Sequence, residues 1–109
     1  RFYKFLKQKR KLLVKYQRAF KNIYEVSMLT ETQNCRSNYW LQTLILKYPN
    51  IKLRNDILNY SIKKKISTRP AWTLMHHINY LKRFPRMNLK NSEEMIKRII
   101  NLPSSSQLV

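Results

Sequence analysis

The stretch Thr68-Arg69-Pro70-Ala71-Trp72-Thr73-Leu74-Met75-His76 holds the side chains best suited to chemistry on a ligand. Arg69 can grip a phosphate through two parallel hydrogen bonds. Trp72 can flank a sugar or a base with its flat face. His76 could orient a hydroxyl. Two of them also have an ordinary role open: Arg69 as a structural pair or cap, Trp72 as core. His77 reads as an ordinary, partly exposed histidine. The triplet Ser104–Ser106 suggests a nucleophile, but no acid–base partner stands at a known spacing, so it reads as exposed tail. Cys35 is the single cysteine. It cannot staple the fold alone and has no metal-ligand spacing around it, which points to a reducing compartment. There is no glycine at all, which excludes a P-loop and a GxGxxG fingerprint.

The net charge is +18, from 23 Lys+Arg against 5 Asp+Glu. Charge alone points to nucleic acid or an anionic membrane; for nucleic acid, Lys7, Lys9, Arg10, Lys11 and Lys63–Lys65 would be the phosphate contacts, with a steep salt dependence. The joint richness in Lys, Asn and Ile gives the plainer reading of a compositional bias, so nucleic-acid binding stands second. At 43% hydrophobic residues the chain is too apolar for disorder. Its 109 residues suit one domain with a modest core. No apolar run approaches the roughly 20 residues that span a bilayer. The N-terminus lacks a signal-peptide core and an initiator Met, so the sequence is expected to start inside something longer.

These residues need elements to position them. Phe2, Leu6, Leu13, Tyr16, Phe20 and Ile23 follow helical steps with one skipped turn at Lys9, which predicts a helix over 2–23. Basic residues opposite its aromatics also allow a membrane-surface helix. A short strand is expected at Tyr24–Met28 and a loop at Thr30–Asn34. The apolar, β-branched run Asn38–Leu46 predicts the best strand, with Trp40 in the core. After Tyr48-Pro49-Asn50 a second helix spans about Lys52 to Lys64. Ile66–Thr68 reads as a short strand, which Arg69-Pro70 stops. Ala71–Met87 reads as irregular, with one helical turn near Ile78–Lys82. A third helix is expected from the N-cap Asn91, with Glu94 completing a capping box and Met95, Ile96, Ile99 and Ile100 as its buried stripe. Ser104–Val109 reads as a tail. The order defines an α+β fold, a short sheet flanked by about three helices.

The sequence resembles the C-terminal part of the DegT/DnrJ/EryC1/StrS family of nucleotide-sugar aminotransferases, the legionaminic-acid and perosamine types above all. The resemblance rests on Lys15–Phe20, Ser37–Thr43, Arg54–Leu58, Thr68–His76, Pro85–Met87 and Ile99–Ser106, in the family's order. It implies that residues 1–109 are the small C-terminal domain of a fold-type-I aminotransferase whose large cofactor domain is absent here. It further implies pyridoxal phosphate as cofactor, glutamate and a keto-sugar nucleotide as substrates, a cytoplasmic homodimer, and a substrate wall that includes Arg69, Trp72 and His76. No lysine here matches the family's Schiff-base lysine and no acid matches the one that pairs with the pyridine nitrogen, so the chain is expected to be inactive alone. A drifted gene remnant is a further reading. One departure stands out. The family usually has Gly before the residue matching Ile66, where this chain has Lys65, and a left-handed conformation there would cost about 1 kcal/mol.

Overall fold

The computed structural model describes residues 1–109. The first helix, α1, runs Phe2–Phe20 with no proline or glycine to interrupt it. It buries Leu12 and Leu13. Strands β1 (Val26–Met28), β2 (Gln42–Leu46), β3 (Arg69–Pro70) and β4 (Ile99–Leu102) form one antiparallel sheet in the order β1-β2-β4-β3. Helix α2 spans Ile51–Lys63 and α3 spans Lys90–Ile96. Asn50 caps α2, its Oδ1 accepting the Leu53 N–H at 3.0 Å. The fold is thus a small α+β unit of three helices and a four-stranded sheet.

Side-chain alternation gives the sheet two unlike faces. Leu44 and its cross-strand partner Ile100 point to the helices, where they meet Leu13, Met28, Tyr39 and Leu58. Thr43, Asn101 and Arg69 are successive register partners and share the other face. There the Thr43 hydroxyl donates to Asn101 Oδ1 at 2.9 Å. No helix covers the Arg69 end of this face, so Arg69 remains exposed.

Several expected boundaries move. The best strand starts at Gln42, not Asn38. Ser37 Oγ accepts the Tyr39 N–H at 3.0 Å and Asn38 Oδ1 accepts the Trp40 N–H at 3.0 Å. These local bonds take the donors a ladder would need. Tyr39 adopts φ 47° and Trp40 turns outward, 66% exposed, so Trp40 is not core. The expected strand at Ile66–Thr68 falls instead on Arg69–Pro70, where an edge position tolerates proline. Ile99 and Ile100 belong to β4, not to the third helix. That helix is capped at Leu89 with no side-chain bond, so Asn91 lies inside it and the Asn91–Glu94 capping box does not form. Two 3₁₀ turns, Met75–His77 and Asn79–Leu81, occupy the segment read as irregular. The supposed tail is bound in place. Ser104 Oγ accepts the Gln42 N–H at 2.8 Å, and a 3₁₀ turn at Ser106–Leu108 lies along α1 with Leu108 O accepting from Lys15 Nζ at 2.9 Å.

Lys65 takes the left-handed conformation, φ 60°. The Ile66 N–H reaches Ser61 O at 2.8 Å and the Lys65 N–H reaches Ile62 O at 3.0 Å, the bond pair that closes a helix through a left-handed residue. Lys65→Gly should therefore raise stability. The relief of about 1–2 kcal/mol is partly offset by the freer unfolded chain, leaving a gain of about 0.5–1 kcal/mol in a urea titration.

Candidate functional site

An open groove of about 690 Å³ lies over the β3 edge, and Arg69, Trp72, Asn101 and Ser104 are among its lining residues. Two of the residues expected to touch ligand, Arg69 and Trp72, are brought together here. The Arg69 side chain makes no hydrogen bond or ion pair within the chain, which removes the structural-pair role and leaves its donors free. Trp72 is 70% exposed, so it is not core either. It sits against Trp40, ring centroids 6.1 Å apart and planes tilted by 37°. A solvent-facing indole pair beside a free guanidinium can receive a flat or ring-shaped group carrying negative charge.

The turn that carries Trp40 is fixed by α1. Lys9 Nζ donates to Trp40 O at 3.0 Å and also to Ser104 O. Burial lowers the Lys9 pKa below its ordinary value. Gln42 Nε2 returns a bond to Lys9 O at 3.0 Å, and Tyr16 Oη donates to Pro103 O at 2.7 Å. Burial raises the Tyr16 pKa. Residue types alone placed Lys9 among the phosphate contacts. The signal for its structural role was the skipped turn in the apolar stripe of α1, which Lys9 fills with a stem and an inward amine.

Arg10 and Glu31 hold the preceding loop. Arg10 meets Glu31 through two contacts, 2.5 and 3.1 Å, and donates to Ser37 O at 2.9 Å. Glu31 Oε2 also accepts the Ser37 N–H at 2.7 Å, and the Glu31 N–H donates to Tyr39 Oη at 2.9 Å. The Arg10 hydrogen bond, then the Ser37 backbone bond, bring the Glu31 carboxyl from 4.5 to about 2. A depressed carboxyl stabilises the fold above its unfolded pKa, and that contribution is lost as pH falls from 4.5 toward about 2. Melting temperature should fall across this window, and Glu31→Gln should flatten that fall while melting lower at neutral pH.

His76 is elsewhere. Its Nε2 lies 2.9 Å from Glu93 Oε1 on α3, and its ring centroid is 4.2 Å from that of His77. It lines a second, more apolar cavity of about 610 Å³ with Leu74, Met75, Phe84 and Arg86. The structure therefore does not place His76 in the groove with Arg69 and Trp72.

An antiparallel sheet with α1 and α2 packed on one face, a third short helix, and an open groove at its edge form the architecture of one part of an aminotransferase. The chain belongs to the DegT/DnrJ/EryC1/StrS aminotransferase family, whose pattern it matches over residues 1–109. Its fold is similar to that of the aminotransferase TlmJ from Streptoalloteichus hindustanus, with TM-score 0.80 and 11% identity over 95% of this chain and 27% of that one. It is equally similar to Helicobacter pylori PseC, an aminotransferase involved in the biosynthesis of pseudoaminic acid, with TM-score 0.80 and 19% identity over 95% of this chain and 28% of that one. The chain thus spans little more than a quarter of either protein's length.

The family implies pyridoxal phosphate, and the residues present do not fit it. Covalent attachment needs an unencumbered amine, with an acid placed for the pyridine nitrogen. Every lysine except Lys9 is exposed, and the Lys9 amine is already bonded to two carbonyls. Of the acids, Glu31 is held by Arg10 and Glu93 by His76.

Proposed function

We propose that this chain is the small C-terminal domain of a pyridoxal-phosphate-dependent aminotransferase that moves an amino group from glutamate to a keto-sugar nucleotide. The family match along the whole chain carries this reading. The similarity to PseC supports a sugar substrate, and the resemblance noted above favours a legionaminic-acid or perosamine type of pathway, in surface-polysaccharide or nonulosonic-acid sugar synthesis. In the complete enzyme, a cytoplasmic homodimer, the large domain holds the cofactor, which supplies the electron sink. Arg69 and Trp72 then form part of the substrate wall, Arg69 on phosphate and Trp72 against a ring. His76 acts at a distance from that wall, holding the Met75–His77 turn to α3. Nucleic-acid binding is the weaker reading, because Lys9 and Arg10 spend their donors inside the chain. No helix is long and apolar enough to cross a membrane.

On this reading the isolated chain does not transaminate. Adding pyridoxal phosphate to the purified chain should give no Schiff-base absorbance beyond that of free amines. Borohydride reduction should label lysines sparsely and without preference. Stoichiometric labelling of one lysine, or conversion of a keto-sugar nucleotide by this chain alone, would overturn the proposal.

A further inference from the structure

Both histidines of the chain, and one of its five acids, meet at one place outside the groove. One ligand atom each from His76, His77 and Glu93 lies within 4.8 Å of the other two. The residues come from two elements. The 3₁₀ turn Met75–His77 presents the imidazoles, and the first turn of α3 presents the carboxylate. The His76 side chain is buried, the Glu93 side chain about half exposed. His77 is exposed, leaving an approach from solvent.

We infer that His76, His77 and Glu93 form a three-ligand site for a zinc-class transition-metal ion, with water in the fourth position. Two imidazoles and one carboxylate are a borderline donor set of the kind zinc accepts. Bonds of about 2.0–2.2 Å in a tetrahedron put ligand atoms about 3.3 Å apart. The 2.9 Å contact between His76 Nε2 and Glu93 Oε1 needs only a small opening to admit an ion. The third ligand atom, already within 4.8 Å, has to close by at most about 1.5 Å to reach tetrahedral spacing. A simple His76–Glu93 bond would not require the His77 ring beside it, its centroid 4.2 Å from that of His76 and its plane tilted by 55°. Most of the net charge of +18 opposes cation binding only through long-range terms, which salt of about 0.15 M screens beyond roughly 8 Å, and Arg86, which lines the same cavity as His76, is the local opposing charge. A bound ion would stitch the Met75–Leu89 segment to α3 and hold the second cavity, which His76 lines. This site stands apart from the aminotransferase reading and does not depend on it.

The test is a calorimetric titration of the purified Cys35→Ser chain with zinc chloride, beside His77→Ala and Glu93→Gln made in the same background. Cys35→Ser removes the only thiol. His77→Ala keeps the His76–Glu93 bond, and Glu93→Gln keeps an acceptor for His76, so neither should unfold the chain. Metal-free melting curves check that. The parent is expected to bind one ion per chain and to melt higher with zinc. Each variant should bind at least about 10-fold more weakly, the least that disturbing even an outer-shell partner costs, and lose the zinc-dependent rise. No saturable zinc uptake by the parent, or equal affinity in either variant, would refute the site.

Discussion

An Ile100→Ala chain is expected to lose about 2–5 kcal/mol of stability, the usual range for truncating a fully buried isoleucine. Ile100 is 0% exposed. It lies in β4, between Leu44 of β2 and Pro70 of β3, and it belongs to the apolar cluster with Leu13, Met28 and Leu58. Truncation opens a cavity between sheet and helices that neither layer can easily close. A whole domain is stable by only about 5–15 kcal/mol, and a chain with few fully buried residues lies toward the lower end. The urea midpoint should drop by a large fraction of its value with the slope unchanged. Ile99, one residue earlier and on the other face, should tolerate alanine better because it is only half-buried. Equal costs at the two positions would contradict the assignment of faces.

Lys9→Met should cost about 1.5–3 kcal/mol, the worth of hydrogen bonds from a charged donor. Methionine keeps an unbranched stem over the sheet edge and removes the amine. Two carbonyls, those of Trp40 and Ser104, then lose their shared donor. The Trp40 turn should loosen, so tryptophan emission should change along with melting temperature. Lys7→Met is the control: Lys7 is exposed on the same helix and makes no side-chain bond, so a surface effect within about 0.5 kcal/mol is expected. If the two variants melted together, the amine contacts would be incidental and the indole pair would need another support.

The two long helices were legible because their apolar residues follow helical steps, with one skipped turn at Lys9 in α1, and no proline or glycine interrupts them. α2 was readable to within a residue or two from the break at Tyr48-Pro49-Asn50 and the apolar stripe that follows, and the Asn50 cap emerged only in the structure. Arg69 and Trp72 were legible as a pair through their shared motif, and they do line one groove. Ile99-Ile100 was misread because two adjacent apolar residues after a helical start fit either period. Only the partner strand, some fifty residues away, decides the matter, with Leu44 opposite Ile100. Trp40 was misread for a different reason. Aromatic, β-branched sequence favours strand on average, but Ser37 and Asn38 capture the next two backbone donors locally. His76 was grouped with Arg69 and Trp72 because the resemblance puts their segment on the substrate wall, and in this structure it pairs with Glu93 outside the groove. The sequence marked Lys65 as the position where a left-handed conformation would carry a cost, and the chain adopts that conformation there.

β3 and β1 form the two margins of the sheet, and both are brief, two and three residues. Pro70 has no N–H with which to recruit a neighbour. Strand-by-strand polymerisation, the usual route by which an open sheet seeds fibres, is thus closed off at both margins. Any clumping of this chain on storage should therefore stay amorphous and free of cross-β order.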